Sequence, residues 1–222
     1  MRVAGKNVFN EIDIKNIKKI YLSNNFKDKD IINVIHNNKL KYVLTEQKVL
    51  DNMLRNNQGI IVEINDFKYK DINVIDDNFV IILDHLEDPH NFGAIIRTAE
   101  SRGIKNIIIP KDRSVSVNET VMKCSAGTLN HVNIIQVVNL VNAINYLKEK
   151  GFFVYGAEAD GVLYNQVNYS DKICLIIGSE GKGISKVVRK NCDEIISLPM
   201  KGHINSLNAS VAAAILIYGI GD

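Results

Sequence analysis

The sequence predicts an α/β protein in which a mostly parallel, helix-covered sheet follows a smaller α/β unit. Three observations carry that expectation. From residue 79 onward, strand-length runs are apolar at nearly every position, as expected of strands buried on both faces. Amphipathic helical stretches separate those runs. A polar stretch from Asn65 to Asn78, rich in Asp, Asn and Lys, divides the chain and reads as a linker with little core to contribute. With 222 residues, 46% of them hydrophobic and only 3 prolines, the chain is long enough to bury a sizeable core in one or two domains.

In the first unit, Lys19–Ser23, Tyr42–Thr45 and Gly59–Ile64 read as strands, with helices at Lys29–Asn37 and Glu46–Arg55 between them. The boundary falls near Ile75, giving a domain over 1–73, a linker over 74–78 and a second domain over 79–222. Strands in the second domain are expected at Phe79–Asp84, Asn106–Pro110, Phe152–Ala157, Lys172–Gly178 and Glu194–Pro199. Helices are expected at Asn91–Arg102, Asn118–Gly127, Leu140–Lys150, Ser185–Asn191 and Leu207–Tyr218. No internal repeat or low-complexity segment interrupts the pattern.

No stretch approaches the roughly 20 apolar residues that cross a bilayer. Residues Met1 to Asn16 alternate charged and apolar residues and build no signal-peptide core, so the expectation is a cytoplasmic protein without a membrane partner. The three cysteines, Cys124, Cys174 and Cys192, are odd in number and widely spaced. They fit reduced, buried thiols better than a disulfide framework, a zinc site or a catalytic thiol. Net charge is +2, unevenly spread: residues 1–73 hold 13 Lys and Arg against 9 Asp and Glu, and the remainder 14 against 16. A basic first third reads either as an ordinary solvated face or as a surface turned towards RNA phosphates.

Ligands of such sheets gather beyond the carboxyl ends of the strands, where backbone donors and helix starts are free. Three motifs fall there. After the first strand of the second domain runs Asp84-His-Leu-Glu-Asp-Pro-His-Asn91-Phe-Gly93-Ala-Ile-Ile-Arg97-Thr-Ala99. Asn91 suits a helix cap and Gly93 permits a close backbone approach. Arg97 lies among apolar neighbours, and a half-buried guanidinium needs an anionic partner, either a carboxylate such as Asp84 or Asp88 or a ligand phosphate. After the fourth strand, Gly178-Ser179-Glu180-Gly181-Lys182-Gly183 is a loop that turns tightly or lets a ligand touch backbone, with Glu180 either paired, for instance to Arg97, or open to a hydroxyl donor. It matches neither the dinucleotide fingerprint nor a Walker loop. After the fifth strand come Leu198-Pro199-Met200 and then Ser206-Leu207-Asn208-Ala209-Ser210, where Ser206 is a candidate cap and the following alanines a small-residue helix face. His85 and His90 bracket Glu87 and Asp88, but no metal-ligand set emerges, and both are read as loop residues.

In this order and spacing, D-x-x-x-D-P-x-N-x-G-A-I-I-R-T-A, G-S-E-G-K-G and P-M-x-G-x-I-x-S-L-N-A-S-V-A-A-A resemble the three signature motifs of the SpoU (TrmH-like) ribose methyltransferases, over roughly residues 79–218. The run Val3-Ala-Gly5-Lys6-Asn-Val8-Phe-Asn-Glu11 resembles the opening of the small substrate-binding domain of the RlmB-like branch, an α/β domain like those of certain RNA-binding ribosomal proteins. The resemblance implies a deep trefoil knot built from the second and third motifs, an exception to un-knotted topology. It implies a homodimer with each active site near the subunit interface, and S-adenosylmethionine as methyl donor without a metal. It makes Gly178, Leu198 and Leu207 donor contacts and Ser179, Ile196, Met200 and Ala209 their near neighbours, with Ser206 beside them.

The activity so implied is methyl transfer to a ribose 2′-hydroxyl of structured RNA. A guanidinium stays protonated in proteins and makes a poor base, so Arg97 is expected to grip the target phosphate and stabilise the developing alkoxide, with the proton lost to that phosphate or to water. Asn91 and Glu180 would hold Arg97 and the ribose in register, and Ser206 and Asn208 would complete the polar wall. Arg2, Lys6, Lys18 and Lys19 are candidate phosphate contacts. The implied target is a guanosine of large-subunit ribosomal RNA, with transfer RNA as the alternative. Two rival readings are a dinucleotide-dependent oxidoreductase, which lacks its fingerprint, and a non-catalytic RNA-binding homologue, against which stand competent side chains at every motif position.

Overall fold

The structure, a computed structural model, describes residues 1–220. These fall into two compact units, one of Met1–Lys68 with Val117–Asn130, the other of Tyr69–Ser116 with the chain from His131 onward.

The first unit is built on a four-stranded sheet of β1 (Arg2–Ala4), β2 (Ile17–Ser23), β3 (Tyr42–Thr45) and β4 (Ile60–Ile64) in the order β1-β4-β2-β3. Only the β2–β3 pair is parallel. Side chains alternate across a strand, so Ile20 and Leu22 of β2 join Ile60, Val62 and Ile64 of β4 on one face. Helices α1 (Lys6–Glu11) and α2 (Lys29–Asn37) cover that face with Val8, Phe9, Ile31 and Ile35. The other face buries Ala4 and Ile61 under Leu50 of α3 (Gln47–Met53). Asp28 starts α2 by accepting from Ile31 N, a cap worth about 1 kcal/mol. Strand β1 and helix α1 are absent from the sequence reading because three and six residues are too few to display a period.

The segment Asn118–Gly127, expected in the second domain, belongs instead with the first unit. Its helix α5 (Glu119–Ser125) sends Met122 against the first unit's core, and Asn130 Nδ2 donates to Glu11 O at 2.9 Å. Polar flanks on both sides of this short helix left no sign of which core it joins.

The second unit carries six strands, β5 (Phe79–Asp84), β6 (Asn106–Pro110), β7 (Asn133–Val137), β8 (Phe153–Leu163), β9 (Ile173–Gly178) and β10 (Glu194–Ser197). Their order is β10-β8-β9-β5-β6-β7, and every pairing is parallel. Helices α6 (Leu140–Glu149) and α7 (Lys186–Arg189) pack on one face, over Val80, Ile82, Ile108, Val154 and Ile176. Helices α4 (Pro89–Ser101) and α8 (Ala209–Gly219) pack against each other, and α8 lies on β9. Strand β7 went unpredicted, since Gln136 breaks a short apolar run at the sheet edge. The expected linker also does more than connect: Lys70 N donates to Ile134 O, and Ile72 and Ile75 pack onto the second unit's core.

One irregularity shapes the sheet's carboxyl end. Strand β10 pairs with Tyr155 and Gly156, then jumps to Val162 and Leu163, so β8 residues 157–161 lose their β10 partners, while Ala157 still pairs with Ile177 of β9. Gly161 makes the renewed pairing possible. A Cβ there would lie 2.4 Å from Ile195 O, and the Gly161 carbonyl accepts from Ser197 Oγ at 2.8 Å. Gly161→Ala is therefore expected to lower stability by about 3 kcal/mol, the upper end of overpacking, measured as a reduced urea midpoint at unchanged m-value.

Candidate active site

Three loops at the carboxyl ends of β5, β9 and β10 meet in the second unit. Asp84 closes β5 opposite Gly178 of β9, joining the first two motifs by sheet register alone. Its carboxylate is 1% exposed, so it needs partners: Oδ2 accepts from Ser185 N at 2.6 Å, and Oδ1 lies 2.5 Å from His85 Nδ1. Asp84 thereby ties the first motif to the start of α7.

The glycine loop folds into a small hairpin. Ser179 N donates to Gly183 O at 3.1 Å and Gly183 N to Ser179 O at 2.9 Å, and Gly181 and Gly183 take φ of 78° and 64°. Gly178 is required by proximity, since a Cβ would stand 2.1 Å from the Gly183 carbonyl carbon. Glu158, from the excursion of β8, accepts from Ile184 N at 2.5 Å and braces the far end of the hairpin.

Between this hairpin, the β8 excursion, the chain after β10 and α8 opens a cleft of about 330 Å3. All seven residues expected to hold the donor line it: Gly178, Ser179, Ile196, Leu198, Met200, Leu207 and Ala209. So do Glu180 and Ser206. Ala157, Glu158, Ala159 and Asn205 also line it and were missed. The three from β8 carry no motif of their own and lie where that strand has no β10 partner.

The remaining polar residues differ from expectation in their partners. Asp88, not Asn91, caps α4, accepting from His90 N at 2.9 Å with Pro89 at the first helical position. Asn91 is thus inside the first turn and buried, and its Nδ2 donates to Glu180 Oε1. Glu180 is paired with Asn91 and not with Arg97. Arg97 itself is exposed: Ile95, Ile96 and Ala99 take the inward face of α4 and turn the intervening position to solvent. It forms no ion pair with Asp84, Asp88 or any other described residue and does not line the cleft. At the third motif Asn208, not Ser206, caps α8, accepting from Ser210 N at 2.9 Å, Ser210 Oγ at 2.6 Å and Val211 N at 3.3 Å. Asn208 therefore organises the helix and stands outside the cleft lining.

The four basic candidates of the first unit do not form one patch. Arg2 and Lys19 converge on the Tyr21 ring, at 5.7 and 4.9 Å from its centroid, and Arg2 also pairs with Glu63 at 3.5 Å. Lys6 pairs with Asp28 at 3.1 Å, and Lys18 is exposed. Among the described residues no cluster of His, Cys, Asp or Glu could hold a metal, and no helix is long and apolar enough to cross a membrane.

Parallel topology defines an α/β protein with a cleft at the carboxyl ends of its strands. The model of the SpoU rRNA methylase family matches residues 78–218, which include all three motifs. A TrmH family tRNA/rRNA methyltransferase of Staphylococcus haemolyticus is 39% identical over 221 residues, covering 92% of this chain and 87% of that one. The chain therefore belongs to the SpoU family of RNA methyltransferases. The SpoU methyltransferase AviRb of Streptomyces viridochromogenes, solved in complex with AdoMet, shares the fold with a TM-score of 0.84 at 18% identity, over 99% of this chain and 88% of that one. A solved RNA 2′-O ribose methyltransferase superimposes with a TM-score of 0.74 at 18% identity, over 99% of this chain and 86% of that one.

Neither Cys174 nor Cys192 offers an activated nucleophile. Burial pushes the Cys174 thiol upward, and burial likewise holds Cys192, whose Sγ lies 3.6 Å from Val188 O, at about 11 against an ordinary 9.0. Below pH 9 folded and unfolded chains both keep the Cys192 proton, and this contribution to stability is complete. As pH rises from 9 towards 11 the unfolded chain loses its proton first, so stability falls. Thermal unfolding from pH 8 to 11 is expected to show a declining Tm, with a shallower decline in Cys192→Ser.

Proposed function

We propose that this protein transfers a methyl group from S-adenosylmethionine to a ribose 2′-hydroxyl of structured RNA, a guanosine of large-subunit ribosomal RNA being the favoured target. The observation that carries the reading is the convergence of the second and third motifs on one cleft with an apolar floor and a backbone-rich rim. Its volume of about 330 Å3 suits a small ligand. Ile177, Ile196, Leu198 and Leu216 offer apolar surface to an adenine, and the tight hairpin exposes peptide groups where side chains would stand in the way. S-adenosylmethionine supplies an electrophilic methyl on a sulfonium. The 2′-O assignment draws on the motifs and on the structural neighbour of that activity.

Methyl transfer is an in-line displacement, so the chain's task is to align the acceptor oxygen and ease loss of its proton. Asn91 and Glu180 brace each other at the cleft rim and present polar atoms to a ribose. Arg97, exposed and without a carboxylate partner, is free to grip the target phosphate and stabilise the alkoxide as it forms. Ser206 completes the rim, and Asn208 contributes by fixing the start of α8.

A second copy of the chain is expected to complete the site, because α8 leaves Val211, Ile215 and Tyr218 exposed at 48%, 38% and 48% on an otherwise apolar helix. The same reading extends to a deep trefoil knot through the second and third motifs, which the match to the SpoU family over residues 78–218 supports. The first unit would grip the RNA, with Arg2 and Lys19 around Tyr21 and the exposed Lys18 on phosphates and Lys6 needing release from Asp28. Transfer RNA is the second reading, since the Staphylococcus relative is named for both substrates.

Arg97→Ala is expected to lower methyl transfer by at least about a hundredfold, as loss of a charge-stabilising donor does, while calorimetry finds S-adenosylmethionine affinity unchanged. Full activity in that variant would remove Arg97 from the chemistry. Mapping 2′-O-methyl positions in ribosomal and transfer RNA with and without the protein identifies the target, and a map unchanged at every site would sink the activity.

A further inference from the structure

Resting on the donor assignment above, we infer that Glu158 gives the cleft its preference for the charged methyl donor over the neutral product. Three ionisable side chains line the cleft, Glu158, Glu180 and Lys182. Glu180 and Lys182 sit exposed on the hairpin, where water and salt screen them. Glu158 is half-buried and rigidly placed. Its Oε1 accepts from Ile184 N at 2.5 Å, and a Cβ on Gly183 would come within 2.5 and 3.0 Å of its two oxygens, so the carboxylate lies directly against the hairpin.

That carboxylate has no cation within ion-pair distance among the described residues. The nearby Arg189 is engaged elsewhere, by a two-pronged pair with Asp160 at 2.9 Å on each prong. A neutral backbone N–H satisfies one oxygen of Glu158, and Arg189 offsets its charge only from beyond ion-pair distance. In a partly desolvated cleft such a charge favours a cation.

Donor and product differ by one positive charge. The donor carries a sulfonium, and loss of the methyl cation to the acceptor oxygen leaves a neutral thioether, while the ammonium and carboxylate of the amino-acid end are common to both. Attraction to Glu158 at the sulfur therefore enters the affinity of the donor and not that of the product. The consequence is tighter capture of donor and easier release of product from a site whose apolar contacts are the same for both. Glu158 touches no reacting atom in this account and acts as a specificity-determining residue.

The test is calorimetric titration of the full-length protein with S-adenosylmethionine and with S-adenosylhomocysteine. In Glu158→Gln, whose amide oxygen still accepts from Ile184 N, donor affinity should fall roughly five-fold, the size of one partly screened charge interaction, while product affinity holds. High salt should narrow the donor–product gap in the wild type more than in the variant. Glu158→Ala, which removes the acceptor as well, should weaken both ligands and so isolates the bracing role from the charge. Equal losses for both ligands in Glu158→Gln, or no loss for either, would overturn the inference while leaving the donor assignment intact. A wild-type protein that binds neither ligand would overturn the donor assignment and this inference with it.

Discussion

The second unit depends on one close approach, that of Gly178 at the end of β9 to Gly183 five residues later. No side chain fits between them. The approach lets Ser179 and Gly183 exchange two backbone hydrogen bonds, and the hairpin so formed is the part that the neighbouring elements grip. Asn91 holds it from α4 through Glu180, Glu158 holds it from β8 through Ile184, and Asp84 holds the chain just beyond it through Ser185. Each brace is a polar group whose burial or half-burial would be unfavourable without that partner. Loop and cleft are therefore ordered by the same set of interactions.

The β8 excursion is the other half of the construction. A strand in register from end to end would have kept 157–161 paired with β10 and held Glu158 away from the hairpin. Leaving the ladder costs backbone hydrogen bonds, which Gly161 O recovers in part by accepting from Ser197 and Asp160 offsets by pairing with Arg189. What results is a wall of small residues, Ala157 and Ala159, flanking one carboxylate. Apolar floor, peptide-lined rim and a half-buried carboxylate come from three different strands.

The polar residues of the first motif divide their labour differently from a simple reading of the helix start. Asp88 takes the cap, which releases Asn91 to reach Glu180. Arg97 stays in solvent with its charge unspent. A guanidinium already neutralised by Asp84 or Asp88 would have to give up that partner before meeting a phosphate. The arrangement keeps structural carboxylates and the free cation apart.

The apolar runs that form five of the six strands of the second unit and the three motifs at their carboxyl ends were legible in the residues, because strand burial and glycine-rich turns are local properties written in consecutive positions. Residues 79–83 and 107–110 are apolar throughout for that reason. The gathering of the second and third motifs into one cleft could be expected only through family resemblance, and the partners within it were decided by tertiary structure. That no carboxylate meets Arg97, that Asp88 caps α4, that Asp84 lies opposite Gly178, and that Glu158 belongs to the site at all were decided by the folded arrangement, the last two by sheet register and by a strand that departs from it. The assignment of Val117–Asn130 to the first unit is likewise a matter of which apolar surface lies nearest in space. Hydrogen bonds between residues as distant as 91 and 180 leave no periodicity in the chain, and only the folded arrangement brings them within reach.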